Sequence, residues 1–254
     1  MVSDAIISAR NQNGYEVEIV VVDDGSIDGT ADFIQDHFGD VTVIRQNNAG
    51  PGPARNAGVE ASQGDVVMFL DSDDTWLPHH VKSLIDTVSS GYDVAYGTTL
   101  TKDRVQNNEF LIPEDGNGAD GDCTALLSRW CFMVPSSVAV TRKAFDTIGG
   151  FGSGSLGEDW AFFVQLAEWF PFGFSGPDPI TIRQLHQGSL CCLEGHEAII
   201  NAIRNVGKVA KQSKKNNGQY LHHFEQLEEW VMKNGEGWNT VQDWYCAMKK
   251  EGMV

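Results

Sequence analysis

Two stretches decide the fold. Glu18-Ile19-Val20-Val21-Val22-Asp23-Asp24-Gly25-Ser26 and Gly64-Asp65-Val66-Val67-Met68-Phe69-Leu70-Asp71-Ser72-Asp73-Asp74 are each an apolar run that stops at carboxylates. A run that is apolar at both alternating positions suits a strand covered on both faces, as in a parallel sheet sandwiched by helices. The chain between and after them supplies those helices. Thr30 to Phe38 reads as a helix with Phe33, Ile34 and Phe38 on one face, Val41 to Ile44 as a strand, and Gly52 to Ser62 as a helix after a Gly/Pro turn. Pro78 opens a further helix whose Val81, Leu84, Ile85 and Val88 fall at i, i+3, i+4 and i+7. Asp93 to Tyr96 reads as a fourth strand. The alternation predicts an α/β, Rossmann-type, mostly parallel sheet flanked by helices.

Further along, polar residues 101–122, rich in Gly, Asn and Asp, read as a loop or insertion. Ser136 to Thr141 is a predicted strand and Asp159 to Trp169 a predicted helix. Beyond Glu197 the pattern is helical, with stripes at Ile199, Ile203, Val206, Ala210 and at Leu221, Phe224, Leu227, Val231. We therefore expect a sheet domain over 1–195 and a C-terminal helical tail over 196–254 packed on it.

The 254 residues are enough for one large core, and 41% apolar with 21% charged residues is ordinary for a globular chain. The net charge is −17, with 4 basic and 16 acidic side chains in residues 1–100. Such a body repels a phosphate backbone, so a nucleic-acid partner is not expected. Five cysteines without a CxxC spacing argue against a disulfide framework or structural zinc and fit a reducing, cytoplasmic setting. Apolar runs of about five residues fall far short of the ~20 that span a bilayer, and Met1 to Gly14 lacks the apolar core of a signal peptide.

In open parallel sheets, ligands bind at the carboxyl ends of strands. Asp23, Asp24, Asp71 and Asp73 would meet there. Each motif alone is also ordinary turn or helix-cap chemistry, and Asp28 fits a cap. Four anions at one edge repel one another, however, and a hard cation shared with substrate phosphates would relieve that.

These motifs resemble the family 2 glycosyltransferases of GT-A fold. The resemblance rests on Val21-Val22-Asp23-Asp24-Gly25-Ser26-x-Asp28-Gly29-Thr30, Asn48-Ala49-Gly50-x-x-x-Ala54-Arg55-Asn56-Ala57-Gly58 and Gly64-Asp65-x-x-x-Phe69-Leu70-Asp71-Ser72-Asp73-Asp74. Pro135-Ser136-Ser137, Gly149-Gly150-Phe151 and Gly157-Glu158-Asp159-Trp160 follow in the family's order, and the likeness covers roughly residues 5–190. It implies a GT-A-like fold and transfer of a sugar from a nucleotide-sugar donor, a UDP-sugar in first place, to a saccharide or lipid-linked acceptor, with Mn²⁺ or Mg²⁺.

Carried over residue by residue, the resemblance puts Asp23 and Asp24 at the nucleotide, with Asp24 on the base. It puts Arg55, Asp71 and Ser72 at the donor, and Asp73, Asp71 and His186 at the metal. Asp159 would be the general base of an inverting displacement, with Glu158 and Trp160 on the acceptor side. Repulsion between the adjacent carboxylates Glu158 and Asp159 would raise one pKa toward a useful value. Arg183 stands three residues before His186, where the family has its arginine two before, so no role passes to it. Lys208, Lys211, Lys214 and Lys215 form a basic face that could rest on the inner face of an anionic membrane, or simply be solvated.

The family's usual opening strand, followed by Pro-x-Tyr-Asn, has no counterpart here. Ala5 to Gln12 matches the helix after it. The expectation is that the strands at Glu18–Val22 and Asp65–Leu70 lose a shared neighbour, leaving a gap or a new direct pairing and a chain weak in stability and activity. The second reading is accordingly an inactive, glycosyltransferase-like binding protein. A remote one is a haloacid-dehalogenase-like phosphatase, since Asp71-Ser72-Asp73-Asp74-Thr75 also fits D-x-D-x-T, with Asp71 as nucleophile. That signature belongs on a first strand, and it leaves Asp23-Asp24 and Glu158-Asp159 unexplained.

Overall fold

The computed structural model describes residues 1–153, 156–189, 195–212, 220–236, 238 and 241–251. Helix α1 (Val2–Arg10) leads to β1 (Val20–Asp23), α2 (Thr30–His37), β2 (Thr42–Arg45), α3 (Pro51–Ala61), β3 (Val66–Met68), the short β4 (Thr75–Trp76) and α4 (His80–Ser89). Then come β5 (Val94–Asp103), β6 (Asn108–Ile112), α5 (Thr124–Leu127), β7 (Val138–Thr141), α6 (Arg142–Ile148), α7 (Glu158–Trp169) and β8 (Phe172–Leu185). Helices α8 (His196–Gln212), α9 (Leu221–Asn234) and α10 (Val241–Lys250) complete the order.

The α/β class holds, but the sheet is mixed rather than mostly parallel. Strands β1 and β2 pair in parallel as a two-stranded sheet, Val20 against Thr42. The larger sheet runs β3-β7-β5-β8-β4, with β6 added beside β5. There, among the described residues, β5–β8 is parallel, and β3–β7, β5–β7, β5–β6 and β4–β8 are antiparallel. The stretch expected as a loop at 101–122 is partly strand, because β5 continues to Asp103 and turns back through β6. Strand β8 was not anticipated: Gly173, Gly176, Pro177 and Pro179 read as turn residues, yet pairing with β5 and β4 holds the backbone extended.

Among the described residues β1 and β3 do not pair with each other, so each is a sheet edge. Of the two outcomes expected for these strands, this is the gap. Side chains bridge it in part. Ile19 packs in one apolar cluster with Met68 and Leu70, and the Gln63 N–H donates to the Glu18 carboxylate at 2.7 Å. Val20, Val21 and Val22 are nevertheless only half-buried.

The main core lies between the large sheet, α7 and the C-terminal helices. Phe162, Phe163 and Leu166 of α7 share one cluster with Ile199, Ile203 and Val206 of α8, Phe224, Leu227 and Val231 of α9, and Trp244 and Met248 of α10. Helix α7 starts where Gly157 takes φ +79, and a Cβ there would sit 2.9 Å from the Ala202 Cβ, so glycine alone permits both the turn and the approach of α8. No helix among the described residues is long and apolar enough to cross a membrane. Lys208 and Lys211 are exposed on α8, while Lys214 and Lys215 lie outside the described residues.

Candidate active site

The carboxylate motifs follow β1 and β3, and the acidic pair opens α7. The Asp24 carboxylate leaves β1 and accepts from Gln46 Nε2 at 2.7 Å and from the backbone N–H groups of Ala49 and Gly50, both at 2.8 Å. Burial pushes its pKa up, but these three bonds outweigh it and hold the acid below its ordinary range. Asp24 thus pins the loop ahead of α3, and most of its acceptor capacity is spent on that. Asp23 accepts the Ser26 N–H at 2.8 Å, and Asp28 accepts the N–H and hydroxyl of Thr30; this is a turn bond one residue ahead of the Gly29 N-cap of α2, not the cap its sequence suggests.

Arg55 of α3 joins two motifs. Its Nη2 donates to Asp71 Oδ1 at 2.9 Å and its Nη1 to Glu158 Oε1 at 2.8 Å. The guanidinium lies over the Phe151 ring at 5.2 Å. Gly52, one turn earlier, makes this approach possible, because a Cβ there would strike the Gly152 carbonyl at 2.2 Å. Arg55, expected at the donor, is therefore a bridge between the D-x-D segment and α7. Glu158 is 8% exposed. Its pKa is raised by burial first and by Asp159 next, with Arg55 pulling the other way.

Asp159 is half-buried and borders a cavity of about 180 Å³ walled by Trp130, Cys131, Arg183, Tyr245 and Met248. Burial raises its pKa, opposed by Arg55 and Arg183, while the negative charge of Asp71 raises it further. A carboxylate made more basic than usual beside a pocket suits a general base. Trp160 is buried and donates its indole N–H to the Leu127 carbonyl at 2.7 Å, so it is core as well as cavity wall.

Ser72 is exposed in the loop after β3. Asp73 Oδ2 lies 3.2 Å from His186 Nε2, each side chain about a quarter to a third exposed. His186 Nδ1 accepts the Gly188 N–H at 3.0 Å. That bond leaves the ring proton on Nε2, pointing at Asp73, so the imidazole offers a donor there and no lone pair to a cation. Metal-binding histidines show the reverse arrangement, with the second nitrogen donating. The described residues hold no cluster of three or more His, Cys, Asp and Glu placed to bind a metal. What fits a Mg²⁺ or Mn²⁺ is the Asp73 carboxylate together with the oxygens a diphosphate would bring; His186, so bonded, does not fit as a ligand, and Asp71 is held by Arg55.

Three residues of this neighbourhood were named in the sequence reading without a role. Arg183 lines the cavity with Asp159. Asp74 is buried at 2% exposure, and Ser136 is fully buried against it, its hydroxyl 2.6 Å from Asp74 Oδ2. The sequence signal was the third carboxylate of Asp71-Ser72-Asp73-Asp74 and the Pro135-Ser136-Ser137 run. Nothing local told their direction.

Strand-end carboxylates, an acidic helix start and a cavity beside it define a GT-A-type transferase fold. The chain belongs to glycosyl transferase family 2, whose model matches residues 1–148. It is 34% identical over 157 residues to an uncharacterized glycosyltransferase of Nostoc sp., covering 58% of this chain and 48% of that one. It is 35% identical over 171 residues to the succinoglycan biosynthesis protein ExoW of Rhizobium meliloti, covering 57% and 51%. The chain thus spans about half the length of these relatives. Among solved structures it is similar to residues 1–349 of S. aureus TarS in complex with UDP-GlcNAc, with a TM-score of 0.69, 18% identity and coverage of 88% and 67%. That likeness speaks to the fold. Family membership also removes the phosphatase alternative.

Proposed function

We propose that this domain transfers a sugar from a UDP-sugar to an acceptor hydroxyl by a single inverting displacement. One observation carries the reading: Arg55 ties the D-x-D carboxylate Asp71 to Glu158, so the adjacent Asp159, raised in basicity, borders a cavity next to the diphosphate segment. The TarS complex with UDP-GlcNAc supports the choice of donor class, and the polysaccharide role of ExoW supports a saccharide acceptor. Lipid-linked acceptors enter the same assay, and co-sedimentation with anionic vesicles reads contact of Lys208 and Lys211 with a membrane.

In this mechanism the acceptor enters the cavity and its hydroxyl proton passes to a carboxylate oxygen of Asp159. The acceptor oxygen attacks the anomeric carbon as the bond to the diphosphate breaks, and that electron pair stays on the β-phosphate. A Mg²⁺ or Mn²⁺ on Asp73 would stabilise the departing diphosphate as a Lewis acid. Arg55 keeps the two carboxylate motifs in register and tempers the basicity of Asp159, Glu158 anchors Arg55 to α7, and the His186 Nε2–H holds Asp73 in place.

The test is UDP release from UDP-GlcNAc and UDP-glucose with Mn²⁺ or Mg²⁺ over a panel of saccharide and lipid-linked acceptors. Acceptor-dependent release that disappears in Asp159→Asn is the expected result. The second reading, a domain that binds nucleotide without transfer, is favoured by the separation of β1–β2 from the large sheet. It predicts UDP binding by calorimetry with no turnover on any acceptor.

A further inference from the structure

We propose that Asp74 is a positioning residue that sets the Asp73–His186 pair without touching substrate; the inference rests on the reading of that pair as the diphosphate side of the site. Asp74 turns inward where Asp71 and Asp73 turn outward. Its Oδ2 accepts the Ser136 hydroxyl at 2.6 Å and its Oδ1 accepts the Gln184 N–H at 3.0 Å. The Ser136 Oγ in turn accepts the Asp71 N–H at 3.1 Å. The Ser136 carbonyl takes the indole N–H of Trp76 at 2.8 Å and the hydroxyl of Thr181 at 2.9 Å.

Three segments far apart in sequence meet at this one carboxylate: the loop after β3, the turn before β7 and the end of β8. Gln184 is two residues from His186, and Asp74 is next to Asp73. The Asp74–Gln184 bond therefore fixes the chain that carries the imidazole against the chain that carries its carboxylate partner. The His186 end of β8 has its own brace, since the His186 N–H donates to Ser189 Oγ at 3.1 Å and Nδ1 is held by Gly188. Those bonds orient the ring. The Asp74 clamp carries the β4–β8 pairing, Thr75 against Ile182, one bond further, to the residues beside Asp73 and His186. A carboxylate buried this deeply is costly unless its oxygens are satisfied. Both of its oxygens are bonded, by donors from two other segments.

The experiment uses the full chain labelled with ¹⁵N at histidine. In Asp73→Ala the His186 ring-nitrogen signals lose their carboxylate partner and mark the unpaired state. Asp74→Ala is expected to move the His186 signals to that state while His80, buried and stacked on Trp76, keeps its own. Calorimetric affinity for UDP with Mn²⁺ should fall about 10–100-fold, as for other residues that orient a ligand-binding group. Asp74→Asn, which keeps an oxygen for the Gln184 N–H, should restore both. If Asp74→Ala also perturbs His80 or fails to fold, Ser136→Ala decides, since it removes one bond of the clamp. A shift confined to His186 supports the clamp, and wild-type His186 signals in that variant overturn it. His186 signals unmoved in a folded Asp74→Ala likewise overturn it. Equal UDP affinity in wild type and Asp73→Ala would instead count against the proposed donor site, and the ring signals would still decide the clamp.

Discussion

Asp159 and Arg55 carry the sharpest expectations. Replacing Asp159 by Asn removes the proton acceptor but keeps shape, so turnover should fall roughly 10²–10⁴-fold. UDP affinity should hardly change, because the residue borders the acceptor cavity; an equal loss of both would make it a donor-side or structural group. The pH profile follows from the direction of its shift. Burial raises the Asp159 pKa above 3.8, and a base works only when deprotonated. The acid limb of kcat/KM should therefore lie above the ordinary aspartate range and move in Asp159→Glu; a flat profile down to that range would contradict the role. Arg55→Ala leaves Glu158 buried without its counter-charge. Breaking such a pair costs about 3–5 kcal/mol, and denaturant titration at pH 8 should show a loss of that order. At acid pH Glu158 can take up a proton instead, so the loss should shrink as pH falls. A loss independent of pH would mean that packing on Phe151, and not charge, is what Arg55 supplies.

Among the elements, β1 and β5 make opposite cases. Both are apolar runs, and Val20–Val22 looks at least as buried as Val94–Tyr96 on pattern alone. Pattern reports what a strand can bury, not whether neighbours are there to bury it. Val94–Tyr96 is flanked by β7 and β8 and fully buried, whereas among the described residues Val20–Val22 pairs with β2 alone. An edge with free backbone groups opens locally at low cost. Native-state hydrogen exchange should show β1 amides exchanging roughly 100-fold or more faster than those of Val94–Tyr96. Matching protection would mean that β1 and the large sheet unfold as one unit.

Across the whole molecule, the C-terminal helices and the sheet share a core. Ile203 of α8 is fully buried in the cluster that also holds Trp160 and Phe163 of α7. Ile203→Ala should cost about 2–5 kcal/mol. Because α7 carries Asp159, thermal unfolding followed by tryptophan fluorescence and loss of UDP binding should shift down together. A shift in one without the other would show that the tail is an independent unit.

The α/β class, most elements up to α4, the stripes of α8 and α9, and the carboxylate motifs were legible in the sequence, because each is a local matter of apolar period, turn chemistry or short spacing. Tertiary structure decided the rest. Strand β8 and the β5–β6 hairpin exist through pairing across the sheet, which no window of sequence contains. The same holds at the site. Asp71, Asp73 and Asp74 look alike in a row, yet one meets Arg55, one His186 and one Ser136 with Gln184. A carboxylate's role is set by the donors that reach it, and here those donors come from α3, β8 and the turn before β7, brought together only by the fold.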